Sequence, residues 1–379
     1  MTGSANRTIP EPATAGAVLT IDLAALRDNY LTLKALAPDA ACAAVVKGDA
    51  YGIGTVPAAR ALADAGCEVF FVALVAEALD VRRAVPGATI YVLNGLPPGT
   101  AEAFALNRLQ PVLGSTAEIE EWAAYCRSRA TALPAAIHVD TGINRLGLET
   151  GEVDRIVASP SMLGDFVPSL IMSHLACGDD PDHPMNAQQN ARFAHVRERF
   201  PGIPASLANS AGVINGSAFH HDLVRPGIAL YGGRAVVGLA NPASPVVHLA
   251  GRVMQVRTVE PGRTVGYGAT WTARRRSRIA VVSVGYADGY MRLVGASDGK
   301  AGARAHVAGS FAPVVGRVSM DMITVDITDI PAPGVRRGDT VELLGRNIGV
   351  DDLAAMAGTI GYEVLTNLGS RYARVYSGA

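Results

Sequence analysis

The chain has 379 residues, 49% apolar and 18% charged, enough for two globular cores at a prior of ~100–200 residues per domain. A formal net charge of -1 gives no field to hold nucleic acid or an anionic membrane, so a small-molecule partner is expected. Arg274-Arg-Arg276, the densest basic run, follows the strand-like segment Tyr267-Gly-Ala-Thr-Trp271 and reads as a solvated turn. Cys42, Cys67, Cys126 and Cys177 are widely spaced without a CxxC pair, which fits a reduced cytosol. With no run of ~18 apolar residues and no charged-then-apolar leader pattern, neither a membrane span nor a signal segment is expected.

In chain order, residues 1–16 are rich in Ala, Thr, Pro and Ser and read as a flexible tail. From Leu23 to about Leu239, short apolar runs alternate with helix-length amphipathic segments, as in βα units around a parallel sheet. The predicted strands cover 42–46, 69–74, 89–93, 110–113, 135–140, 168–173, 204–207 and 227–230, with helices such as 57–65, 77–85, 116–129 and 186–200 between them. Eight such strands close a TIM-type (β/α)8 barrel, assigned to 17–241. Asn241-Pro-Ala-Ser-Pro245 is the natural linker. Beyond it, β-rich runs at 246–259, 278–284, 314–327 and 340–344, with one helix at 350–356, define a mostly β C-terminal domain, 246–379.

In such a barrel the site lies where the strands end, and phosphate is commonly held by the loops after the last two. Lys47 ends the first strand, Asp140 and Arg145 follow the fifth, His174 ends the sixth, Asn209 and Ser210 follow the seventh, and Arg225-Pro-Gly-Ile228 straddles the eighth. All therefore share one rim. Ser210 with the Gly227 and Ile228 amides forms the expected phosphate site, and a strand-mouth lysine facing it points to pyridoxal phosphate. Each residue has an ordinary alternative. Lys47 alone reads as a solvated strand end, Arg225 as a surface arginine before a turn, and Tyr286 as a strand cap. Met320 reads as core. The Asp179-Asp-Pro-Asp-His183 cluster reads as a polar loop before a helix, so no metal is expected, and Gly52-Ile-Gly54 lacks the third glycine of a dinucleotide fingerprint.

Val46-Lys47-Gly-Asp-Ala-Tyr51-Gly-Ile-Gly54, Asp140-Thr-Gly-Ile-Asn-Arg145-Leu-Gly147, Ala208-Asn-Ser210, Arg225-Pro-Gly-Ile-Ala-Leu-Tyr231-Gly232, Gly285-Tyr286-Ala-Asp-Gly289, Gly316-Arg-Val-Ser-Met-Asp321 and Gly361-Tyr362-Glu363 occur in this order. Together with Ser173-His174 they resemble the alanine racemase family, from about residue 17 to the C-terminus. The resemblance implies a pyridoxal-phosphate-dependent isomerase that interconverts L- and D-alanine by a two-base mechanism. Lys47 would hold the cofactor and act as base for the D-antipode, with Tyr286 as base for the L-antipode. A tyrosine titrates near ~10, so making one a base near neutrality costs about 4 kcal/mol. One cation at ~4 Å, from His174 or Arg225, is worth roughly that much at an effective dielectric of ~20.

By the same resemblance Arg225 contacts the pyridine nitrogen, Tyr51, Ser210, the Gly227 and Ile228 amides and Tyr362 surround the phosphate, and Asn209 and His174 lie against the cofactor. Arg145 and the Met320 amide meet the substrate. A homodimer with shared sites is implied, and so is D-alanine supply for peptidoglycan in a bacterial cytoplasm. Gly48-Asp49 and Ser319 depart from the family's common Ala-Asn and Cys, and His138 replaces a lysine that is commonly carbamylated and orients Arg145. No carbamylated lysine is expected there; chloride or His138 itself would do the orienting. The rival readings are a racemase of broader specificity, a non-catalytic carrier of the cofactor, which would lack the β domain, and a barrel decarboxylase, which would carry a carboxylate at Arg225.

Overall fold

The structure is a computed structural model that describes residues 11–331 and 334–378. It divides into two compact units: Leu26–Ser244, and the segment up to Ala25 together with the chain from Pro245 onward.

The first unit is a parallel barrel built from nearly continuous apolar strands, as a sheet covered on both faces requires. Seven strands pair in chain order: Ala44–Val45, Val69–Val72, Thr89–Val92, Gln110–Leu113, Pro134–His138, Val167–Met172 and Ala205–Ser206. Helices Thr55–Asp64, Val75–Ala84, Thr116–Ser128 and Pro184–Arg199 fall where the amphipathic pattern places them. Closure comes from Leu223–Val224. It pairs in parallel with Ala41–Cys42, while the Asp222 amide donates to the Ala205 carbonyl (3.0 Å) and the Arg225 amide to that of Ala208 (2.9 Å).

The eighth strand is thus 223–224, and the predicted strand at 227–230 is corrected to a tight helical turn, Ile228–Tyr231. Its apolar run is buried without being extended, and periodicity cannot separate those cases in so short a stretch. The correction puts Arg225, Gly227 and Ile228 after the last strand, at the rim.

The second unit holds an eight-stranded sheet. Ala17–Asp22, predicted to open the barrel domain, instead lies between Val247–Val259, antiparallel, and Ala373–Ser377, parallel. Its alternation of buried Ala17, Leu19 and Ile21 with half-exposed neighbours suits a sheet covered on one face. Residues 1–10 of the expected tail lie outside the described residues. Residues 12–16 are fastened by Arg252, which donates to the Pro12 (3.0 Å), Ala15 (3.3 Å) and Gly16 (2.8 Å) carbonyls. The predicted run 314–327 splits into Ser310–Val315 and Ile323–Asp326, because Gly316 turns the chain at φ +69°. Helix Val350–Ala357 forms with Asp351 and Asp352 in its first turn, where negative charge is favourable.

Candidate active site

Lys47 lies just past the first barrel strand, after Val46, and the chain beyond it is unusual. Gly48, Asp49, Ala50 and Tyr51 all have positive φ, between 51° and 65°, so the backbone makes a left-handed turn. Each L-residue there costs roughly 1–2 kcal/mol; glycine escapes the cost and aspartate tolerates it, which suits the Gly48-Asp49 pair. The turn is held by several hydrogen bonds. Asp49 Oδ1 accepts from the Thr55 amide (2.9 Å), the Ala50 amide donates to the Val46 carbonyl (2.9 Å), and the Gly48 amide donates to Glu77 Oε1 (2.7 Å). Burial lowers the Lys47 pKa, helped by Arg145 and Arg225 and opposed by Glu77. The amine is therefore easier to hold as a free nucleophile or base.

The turn delivers Tyr51 against Gly227. A Cβ at Gly227 would overlap the Tyr51 hydroxyl, so glycine is what admits the ring. Tyr51 stacks on buried Tyr231 at 4.5 Å, and the Tyr231 hydroxyl donates to the Val45 carbonyl (2.9 Å), tying the eighth-strand loop to the strand that carries Lys47. Beside them the Gly227 and Ala229 amides both donate to Ser210 Oγ, at 2.7 and 3.3 Å. Two amides converge on one oxygen at the start of a helical turn, the arrangement of backbone donors that suits an anion, with the Ser210 hydroxyl beside them. Asn209 has a different engagement: its side-chain oxygen accepts from the Gly212 amide (3.0 Å) and caps the short helix Ser210–Ile214.

Arg225 is 3% exposed and donates to neutral acceptors: Ser206 Oγ, the Ser173 carbonyl (2.6 Å) and the Leu207 carbonyl (3.4 Å). Burial pulls its pKa to about 9, which still leaves it protonated at neutral pH. His174 is driven well below its ordinary value by burial, then by Arg225, Lys47 and Arg145, so it is neutral. Of the two cations expected to support a tyrosine base, Arg225 alone carries charge. His174 is also anchored: Gln189 Nε2 donates to its carbonyl (2.9 Å) and to Thr141 Oγ1 (3.2 Å).

His138 is buried, its Nε2 has no hydrogen-bond partner, and burial with Arg225 pushes its pKa down to about 4. It is neutral, so it supplies no negative charge to Arg145. Arg145 is exposed on a loop that Asp140 shapes by accepting from the amides of Gly142 (2.7 Å), Ile143 (2.9 Å) and Asn144 (2.8 Å). The Asp179–His183 loop is a helix start: His183 Nδ1 accepts from the Met185 amide (3.2 Å).

Tyr286, Met320 and Tyr362 belong to the second unit. Tyr286 opens a helical turn whose amides at Tyr286 and Ala287 donate to the Ser319 (3.1 Å) and Met320 (3.0 Å) carbonyls. Asp288 holds this turn from below, accepting from the Gly285 amide (2.8 Å) and pairing with Arg371 (3.0 Å), which also pairs with Asp321 (2.8 Å). Tyr286, Met320 and Tyr362 are exposed, and Tyr362 lies in helix Gly361–Thr366. Sequence reasoning gave no role to Glu77, Tyr231, Gln189 or Asp288, each of which has at least one partner far away in the chain: the Gly48 amide, the Val45 carbonyl, Thr141 Oγ1 and Arg371.

A half-buried lysine, converging amides and a buried arginine at one rim of a parallel barrel are the arrangement of a barrel enzyme suited to an anionic small molecule and to chemistry at an amine. The comparisons make this specific. Residues 21–235 match the family model for the alanine racemase N-terminal domain, and residues 246–376 that for its C-terminal domain. The chain is 51% identical over 361 residues to the alanine racemase of Methylobacterium nodulans, covering 95% of this chain and 96% of that protein. It is 49% identical over 366 residues to that of Rhodospirillum rubrum, covering 96% of each. The crystal structure of alanine racemase from Bartonella henselae with covalently bound pyridoxal phosphate is similar at a TM-score of 0.90 and 40% identity, covering 96% of this chain and 99% of that one. The chain belongs to the alanine racemase family.

Proposed function

We propose that this protein interconverts L-alanine and D-alanine with pyridoxal phosphate bound covalently to Lys47. The observation that carries the reading is the rim itself: a half-buried lysine after the first strand, two amides converging on Ser210 Oγ, and a buried arginine held by neutral acceptors. Pyridoxal phosphate, when bound, supplies an acceptor for the electron pair left on Cα after deprotonation.

The residues divide the remaining work. Ser210, the Gly227 and Ile228 amides, Tyr51 and Tyr362 hold the phosphate, with Asn209 and His174 against the ring. Arg225, protonated and already donating to neutral acceptors, gives no proton to the ring nitrogen, which disfavours the side reactions of a fully protonated ring. Lys47 takes or returns the Cα proton on the D side, and Tyr286 on the L side. Arg145 and the Met320 amide hold the substrate carboxylate. The large apolar or aromatic side chains Tyr267 (72% exposed), Leu293 (62%) and Met320 (53%) in the β unit support a head-to-tail homodimer, in which that surface covers the partner's barrel rim. The bacterial relatives and four free cysteines support a place in a bacterial cytoplasm, with D-alanine passing to peptidoglycan. No helix among the described residues is long and apolar enough to cross a membrane.

The test is α-proton exchange with chiral product analysis in deuterated buffer, offering L-alanine, L-serine, L-lysine and L-arginine in parallel. Deuterated D-alanine as main product is expected. A preference for the larger amino acids, or bound cofactor without exchange, would overturn the assignment.

A further inference from the structure

We propose that Glu77 is a positioning residue for Lys47: its carboxylate ties the left-handed turn after the lysine to the exit of the neighbouring strand. This rests on the reading of Lys47 as the cofactor lysine. Glu77 lies in the first turn of helix Val75–Ala84, and Oε2 does what a carboxylate commonly does there, accepting from the Ala73 (2.8 Å) and Leu74 (3.1 Å) amides. Helix capping is complete with that oxygen. Oε1 points elsewhere, to the Gly48 amide at 2.7 Å, 29 residues away in the chain.

Gly48 is the first residue of the left-handed turn, so this charge-assisted bond fixes the backbone where it leaves Lys47. A turn of three consecutive L-residues at positive φ persists only when its surroundings over-determine it. Glu77 reaches it with a carboxylate from outside the 46–55 segment.

The same carboxylate contributes to the field at the amine. Lys47 faces Arg145 from the loop after the fifth strand, His174 from the sixth, Arg225 from the eighth and Glu77 from the helix after the second. Both arginines favour the neutral amine, and Glu77 favours the ammonium. Removing its charge moves the lysine's titration to lower pH, whereas loss of a helix cap alone leaves it in place. Glutamine is a sharp probe, since its amide nitrogen must face an N–H donor on one side or the other.

The full-length chain, freed of bound cofactor with hydroxylamine, is labelled competitively with acetic anhydride across pH, and Lys47 acetylation is read by peptide mass spectrometry. In E77Q the labelling midpoint is expected at lower pH than in wild type. In E77D, whose shorter side chain keeps the charge but cannot span both Gly48 and Ala73–Leu74, hydrogen exchange of the 47–54 segment is expected to rise more than that of helix Val75–Ala84. A folded E77Q with an unmoved or raised midpoint, or an E77D with unchanged exchange at 47–54, would overturn the proposal. Failure of pyridoxal phosphate to protect Lys47 in wild type would instead remove the cofactor reading and leave the Glu77 comparison standing.

Discussion

His138 shows how one residue's chemistry follows from burial. The folded protein keeps it neutral down to about 4, whereas the unfolded chain protonates it near 6.5. Between those values the unfolded state binds more protons, so stability falls as pH drops through the window, by up to about 3 kcal/mol. Substituting His138→Gln should flatten that part of the stability–pH curve, measured by denaturant titration at several pH values; an unchanged curve would show that His138 titrates normally. Lys47→Ala should lose the protein-bound cofactor and its visible absorbance, and an unchanged spectrum would move the attachment elsewhere. Lys47 was legible because a charge at the end of Cys42-Ala-Ala-Val-Val46 has no packing role there. Glu77 was not, since a glutamate in a helix's first turn looks like an ordinary cap, and its second partner is a distant amide.

At the scale of elements, seven of the eight barrel strands were readable as apolar runs between turns, and the eighth was displaced by a buried run that folds as a turn. Residues 17–22 were assigned to the barrel domain without a predicted strand, and they form a strand of the β sheet instead. Ala17–Asp22 is interior to the β sheet, with Leu19 fully buried, so Leu19→Ala should destabilise that unit by about 2–5 kcal/mol. Chemical denaturation checks this, and a loss below ~1 kcal/mol, as for a peripheral site, would contradict it. Gly289 makes a stricter demand on the turn that carries Tyr286: at φ +92° a Cβ would overlap the Asn367 carbonyl. Gly289→Ala should therefore lower the melting temperature and disturb Tyr286 together, while a fully stable, active variant would show that the turn tolerates relaxation.

At the scale of the whole molecule, the chain places its two proposed bases in different units, Lys47 in the barrel and Tyr286 with the β sheet. No periodicity or spacing could reveal how such units meet in an assembly; the homodimer is a proposal that came from resemblance and is supported by the large apolar and aromatic side chains exposed on the β unit. If each site is shared between subunits, mixing Lys47→Ala with Tyr286→Phe chains should restore activity, because a mixed dimer holds one intact site. No recovery after verified subunit exchange would argue that each chain completes its own site. The two-base assignment itself is tested most directly by following α-proton exchange of each alanine antipode with solvent in Tyr286→Phe. The account predicts that the variant binds cofactor and exchanges the proton of D-alanine through Lys47 while exchange from L-alanine is lost; equal loss from both antipodes would contradict it.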